Sequence, residues 1–153
     1  MRVGTTGHRG LTGEVEGRVR ELLAAAVAEF APGVLVGVSC LAEGADSLSA
    51  EAVLAHGGRI EAVVPAAGYR DSLPAAHRPV YDARLGRASA LHQPDQDLPV
   101  CDAAYAAAGR TPVAMVEELW AVWDGAPARG PGGTGHVVAL AEARGLRLRE
   151  ASP

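Results

Sequence analysis

Short apolar, β-branched runs alternate with longer stretches of helical periodicity through the first part of the chain, the signature of strands and helices in regular succession. Residues 2–6 begin as an apolar strand that runs into Gly7-His8-Arg9-Gly10. Thr12 then offers an N-cap oxygen to a helix with Glu14 and Glu16 in its first turn. Val15, Val19, Leu22, Leu23, Ala26 and Phe30 recur at helical spacing, and Pro32-Gly33 closes the element. Residues 34–38 form an apolar run without polar alternation, as a strand buried on both faces requires. An Ala-rich helix follows Ala42-Glu43-Gly44-Ala45-Asp46 and stops at His56-Gly57-Gly58, and residues 60–64 form a third buried strand ending at Pro65. Three strands separated by two helices make two βαβ units, whose right-handed crossovers lay the helices on the faces of a parallel sheet.

Residues 66–98 carry less pattern, broken around Tyr69-Arg70-Asp71 and by Pro74, Pro79 and Pro94; residues 83–90 read as a helix end leading into a short strand at 88–92. A helix is expected over 100–116, interrupted by Gly109 and Pro112. Residues 119–123 read as a strand, residues 136–143 as a last helix opened by the glycine-rich run 130–135, and residues 146–148 as an edge strand. Neither a repeat nor a dividing linker is evident, so the expectation is one α/β domain over 1–153, Rossmann-like and doubly wound, with a mainly parallel sheet and helices on both faces.

Composition narrows the chemistry. All 14 basic residues are Arg, so Schiff-base lysines, a Walker-A lysine and a Lys-lined nucleic-acid groove are excluded. The net charge of −4 argues against nucleic acid as a partner. Cys40 and Cys101 lack the spacing of a zinc site or a disulfide framework, which leaves two reduced thiols and no metal. No run approaches a membrane span, and the opening residues enter a strand directly, so a cytoplasmic location without membrane attachment is expected. Homo-oligomer formation is left open.

In a doubly wound sheet, ligands bind outside the carboxyl ends of the strands, where the winding reverses. Those ends carry Gly7, His8 and Arg9 after the first strand, and Ser39, Glu43, Gly44 and Asp46 after the second. Asp124, Gly125 and the loop through Gly132, Gly133, Thr134 and Gly135 follow the strand at 119–123. Glycines without Cβ let consecutive N–H groups face a ligand, and the following helix favours an anion there, which makes phosphate the natural guest; a plain flexible connection is the alternative. Arg9 offers a planar fork that suits phosphate, or is incidental charge in a turn. Glu43 and Asp46 either complement a helix dipole or accept hydrogen bonds from a ribose or base. Asp124 ends a strand, so the helix-dipole explanation does not reach it. Trp120 and Trp123 fit core or rim packing better than a base-stacking platform. The spacing Gly4-x-x-Gly7-x-x-Gly10 is not the dinucleotide fingerprint, and no acidic residue ends the second strand, which disfavours an NAD enzyme; no cofactor is expected.

Thr6-Gly7-His8-Arg9, Ser39-Cys40-Leu41-Ala42-Glu43-Gly44-Ala45-Asp46, and Val122-Trp123-Asp124-Gly125 with Gly132-Gly133-Thr134-Gly135 resemble the SLOG superfamily of Rossmann-like nucleotide-binding domains. That superfamily includes the LONELY GUY phosphoribohydrolases and the Rossmann core of DNA-processing protein A. The resemblance implies a nucleotide-derived ligand across the strand ends, its phosphate on residues 132–135. The LONELY GUY pattern places a catalytic Glu where this chain has Ala139, with Glu142 a turn further along. It therefore implies a sensor or carrier of a nucleotide-type small molecule, with no catalytic residue assigned. A nucleoside-phosphate hydrolase using Asp124, Glu43 or Asp46 is the alternative, and a DNA-processing factor the third reading.

Overall fold

A computed structural model describes residues 1–94, 102–123 and 133–152, with backbone alone for 102–108. Elements follow in the order β1 (Arg2–Gly7), α1 (Gly13–Ala28), β2 (Val36–Ser39), α2 (Ala45–Ala55), β3 (Arg59–Val63), α3 (Tyr69–Ser72), α4 (Arg78–Gly86), β4 (Ala90–His92), α5 (Asp102–Met115), β5 (Glu118–Val122), α6 (Thr134–Ala143) and β6 (Arg147–Ala151). The six strands form one sheet of order β4-β3-β2-β1-β5-β6, every pairing parallel. Winding proceeds outward from β1 to β4, then returns to β5 on the other side of β1. The switch point therefore lies between β1 and β5, and the doubly wound α/β architecture expected from the sequence is the one observed.

Each face has its own core. Val19, Leu23, Ala26 and Val27 of α1 and Ala45, Leu48, Ala50 and Val53 of α2 pack on Val3, Ile60, Ala62, Trp120 and Val122 of the sheet, joined by Tyr69 of α3 and Tyr81 of α4. On the opposite face Val113 of α5 and Val137 and Ala141 of α6 pack on Leu119, and Val116 meets Val38 and Val63. No helix among the described residues is long and apolar enough to cross a membrane.

Several boundaries differ from the sequence expectation for identifiable reasons. Helix α5 runs unbroken through Gly109 and Pro112. A mid-helix proline removes one backbone hydrogen bond, but Val113, one residue on, is buried against Leu119, and this packing outweighs local propensity. Thr12 stands at the N-cap of α1 with extended backbone, yet its side chain makes no capping bond. The segment 69–72, expected to break structure, is the short helix α3, anchored by buried Tyr69 whose ring meets Tyr81 edge-on at 5.9 Å. β4 is confined to Ala90–His92, preceded by α4 where only a helix end was expected.

A buried ionic network closes the amino-terminal end of the sheet. Glu118, fully buried at the start of β5, accepts from Trp120 Nε1 at 2.8 Å and from Arg149 Nε at 3.0 Å. Arg149 also reaches Glu29 at the end of α1 through two bonds of 2.7 and 2.8 Å, so edge strand β6 is tied to a helix as well as to β5. Trp120 is thereby a core residue, as expected, and half-buried Trp123 donates to Glu150 at 3.3 Å.

At the other end of the sheet, packing depends on a missing Cβ. One built on Gly7 would lie 2.5 Å from Ala45 Cβ and 2.8 Å from the Val122 carbonyl oxygen. Gly17, on the exposed surface of α1, would meet nothing within 4 Å. Gly7→Ala is expected to destabilise the fold by about 1–3 kcal/mol through overpacking, whereas Gly17→Ala should stabilise it by roughly 0.5–1 kcal/mol through helix propensity. Urea unfolding of the two variants checks the pair, and equal midpoints would contradict the packing account.

Candidate functional site at the carboxyl ends of β1 and β2

The chain leaves β1 at Gly7 and leaves β2 at Ser39, and parallel pairing brings both exits to one edge. Between them stands the amino terminus of α2. Gly44, its N-cap residue, has φ of +91°, and a Cβ there would fall 2.3 Å from the His8 carbonyl oxygen. Only glycine meets both conditions. The same His8 oxygen accepts the Ala45 N–H at 3.3 Å, while the His8 N–H donates to Val122 at 3.1 Å. The loop after β1 is thus pinned on one side to β5 and on the other to the first turn of α2.

The segment joining β2 to α2 is turned back on itself. Leu41 adopts φ of +57°, the left-handed conformation that a branched side chain rarely takes, and its side chain is buried. The surroundings hold it there: its N–H donates to Ser39 Oγ at 3.2 Å, and its carbonyl accepts from His77 Nε2 at 2.9 Å. Ser39 therefore shapes the turn. Below it, the hydroxyls of Thr5 and Ser49 share a buried hydrogen bond of 2.7 Å that fixes β1 to the middle of α2.

This scaffold sets out the charges. Arg9 and Glu43 form a bidentate pair, Nε to Oε1 at 2.6 Å and Nη2 to Oε2 at 2.9 Å, with side-chain exposures of 44% and 20%. An ion pair this exposed contributes only about 0–1 kcal/mol, so exchanging one partner for an external anion costs little. Asp46, in the first turn of α2, has its pKa raised to about 7 by burial, opposed by the amides of Ala42 and Cys40 and by the nearby Arg9 charge, while Glu43 pushes it further up. Burial also raises the Cys40 thiol, with Asp46 adding to the effect, so Cys40 is a protonated packing residue rather than a nucleophile. The Tyr69 hydroxyl, buried near both, is likewise held neutral.

Helix α2 has no side-chain cap. The Ala45 and Ser47 amides are taken by the carbonyls of His8 and Ala42, and the Asp46 amide has no backbone acceptor among the described residues. An uncapped helix start beside a guanidinium can receive an anion.

Of the residues singled out in the sequence, Gly7, His8, Arg9, Ser39, Glu43, Gly44 and Asp46 come together at this edge. Gly133 is the N-cap of α6, with Thr134 and Gly135 in the first turn, at the carboxyl end of β5 beside β1. Gly133 has φ of −66° and ψ of 163°, open to any residue, so left-handed freedom is not what this position uses. Asp124, Gly125, Gly132 and Cys101 lie outside the described residues. Sequence reasoning missed Leu41 and His77; the left-handed turn and its support carry no local sequence signal.

No family model matches the sequence, and no curated protein matches it. Solved structures do. DNA processing protein A from Streptococcus pneumoniae matches with a TM-score of 0.67 at 20% identity, covering 97% of this chain and 49% of that one. The protein of the same name from Helicobacter pylori matches with a TM-score of 0.71 at 18% identity, covering 98% of this chain and 64% of that one, and its structure is described as showing a single-stranded DNA binding mode. The chain thus spans about half of the first protein and just under two thirds of the second. The expectation that nucleic acid is disfavoured as a partner is corrected by this finding: one of the proteins sharing the fold binds single-stranded DNA, and net charge does not report how cations are placed at the strand ends. The chain has the Rossmann-like fold seen in DNA processing protein A.

Proposed function

We propose that this chain binds single-stranded nucleic acid by holding a backbone phosphate at the carboxyl ends of β1 and β2. The observation that carries this reading is the placement of the Arg9 guanidinium beside the uncapped start of α2, enforced by the contact of Gly44 with His8. A phosphate there exchanges with the Glu43 carboxylate on Arg9 and takes the helix-start amide; both interactions are specific for anions and indifferent to base identity. The single-stranded DNA binding described for the H. pylori protein supports the choice of a polymer. A free nucleoside phosphate presents the same group, and it remains the ligand class favoured by the motifs alone.

The anchoring groups are few, so salt sensitivity should be shallow. Each phosphate neutralised on a single strand contributes a slope of about −0.7 in log affinity against log salt. Arg9→Ala is expected to weaken binding of fluorescein-labelled oligo(dT) about tenfold and to reduce the magnitude of the slope by about 0.7. AMP as competitor separates the two ligand classes: displacement at micromolar AMP would assign the site to a free nucleotide. Unchanged oligo(dT) affinity in Arg9→Ala would remove the phosphate anchor from this site.

Asp46 makes the site sensitive to pH. Its pKa rises from 3.8 to about 7 on folding, so its effect on stability is most favourable below pH 4 and declines as the pH climbs toward 7. The carboxylate that forms also repels phosphate. Oligo(dT) affinity should therefore increase from pH 8 to pH 6, and the melting temperature of the parent should drop between pH 5 and pH 8. Asp46→Asn keeps an oxygen for the Ala42 and Cys40 amides, and it should flatten both dependences. Parallel curves for parent and variant would contradict the assignment.

A further inference from the structure

The strained turn between β2 and α2 is held from a distant part of the chain. Leu41, buried at φ of +57°, lies in a region where a residue with a Cβ is disfavoured about tenfold against its relaxed alternatives. Two bonds oppose that preference. The bond to Ser39 Oγ is local and can travel with the turn. The other comes from His77, the N-cap residue of α4, 36 residues further along, whose Nε2–H donates to the Leu41 carbonyl at 2.9 Å. A carbonyl oxygen only accepts, so Nε2 carries the proton.

Helix α4 does not depend on that bond for its own place. Tyr81 is buried edge-on against Tyr69, Asp82 takes both Nε and Nη2 of Arg70 at 2.7 Å, and Arg84 reaches Glu51 of α2 at 3.1 Å. Of the two bodies that His77 joins, α4 is therefore the fixed one, and the turn is the one that would move. The turn carries the candidate site. The Ala42 carbonyl accepts the Ser47 N–H at 3.2 Å, the Ala42 and Cys40 amides bond the Asp46 carboxylate, and Glu43 is the partner of Arg9. The Leu41 carbonyl and the Ala42 N–H belong to one planar peptide, so the bond to His77 and the bond to Asp46 are made and lost together.

Resting on the phosphate reading above, we propose that His77 is a positioning residue of the strand-end site: through the single peptide between Leu41 and Ala42 it holds Asp46, Glu43 and the start of α2 in the arrangement that meets Arg9. What counts is a donor at the Nε2 position; the ring and its charge are incidental. Without that donor the turn relaxes out of the left-handed conformation, and apparent affinity falls with the fraction of molecules that keep it.

Three replacements test this. His77→Gln keeps an amide donor near the Nε2 position, His77→Phe keeps a ring without the donor, and His77→Leu removes the donor with less bulk, so that one donor-free protein remains should the other fail to fold. By fluorescence anisotropy, oligo(dT) affinity should fall about tenfold in His77→Phe and His77→Leu and stay within about twofold of the parent in His77→Gln. The free protein gives a second readout. The Ala42 and Cys40 amides, together with Arg9, hold Asp46 below the level that burial and Glu43 would set. Its titration midpoint, about 7 in the parent and followed by the carboxyl carbon shift, should therefore rise in the two donor-free variants and stay in place in His77→Gln. All three replacements are neutral, so the lost imidazole charge is common to them. Unchanged affinity in the donor-free variants, or an equal loss in His77→Gln, would overturn the positioning role and leave the phosphate site to the Arg9→Ala test. Weaker binding with an unmoved Asp46 midpoint would overturn it as well, as general loosening of the fold. A parent that binds no oligo(dT) would overturn the phosphate reading, and the role in binding with it.

Discussion

Gly7 and Gly44 let the loop leaving β1 touch the first turn of α2 backbone to backbone, and the positions of Arg9, Glu43 and Asp46 all follow from that contact. A side chain at either position would push α2 away from the strand ends. The helix start would then no longer face the guanidinium, and the hydrogen bonds that His8 accepts from Ala45 and donates to Val122 would open together. Beneath this contact the Thr5–Ser49 hydroxyl pair and the apolar layer of Val3, Ala50 and Val53 hold the helix in register with the sheet. The site is thus a consequence of close packing at one edge, with its charges added on a rigid base.

The two ends of the sheet carry charge differently. At the amino-terminal end, Glu118 and Glu29 are consumed by Arg149 in a network that fastens the edge strand. At the carboxyl end, the Arg9–Glu43 pair is exposed and exchangeable, and Asp46 sits near neutrality. A net charge sums both ends and treats them alike. That sum led away from nucleic acid as a partner, although at the amino-terminal end Arg147 joins Arg149, so the two carboxylates there face two guanidiniums.

The strands and the helices of the βαβ units were legible because the buried strand at 34–38 appears as an unbroken apolar run, α1 presents a helical stripe, and α2 is an Ala-rich stretch closed by Gly57-Gly58. The glycines and charges at the strand ends were legible because their position after each strand limits what they can do. Helices α3, α4 and the full length of α5 were not: Tyr69 and Tyr81 are buried through contacts between elements, and Pro112 is tolerated because Val113 packs beneath α6. The left-handed Leu41 was beyond reach for the same reason, since His77 meets the β2–α2 turn only after the chain has crossed β3.

Amide chemical-shift mapping of the isotopically labelled protein titrated with oligo(dT) tests the central claim most directly. The account predicts that the largest changes fall on residues 8–10 and 43–47, with the amides around Val34 and Glu117 at the far end of the sheet unmoved. Saturation with the largest changes at that far end, or with residues 8–10 and 43–47 unshifted, would contradict it.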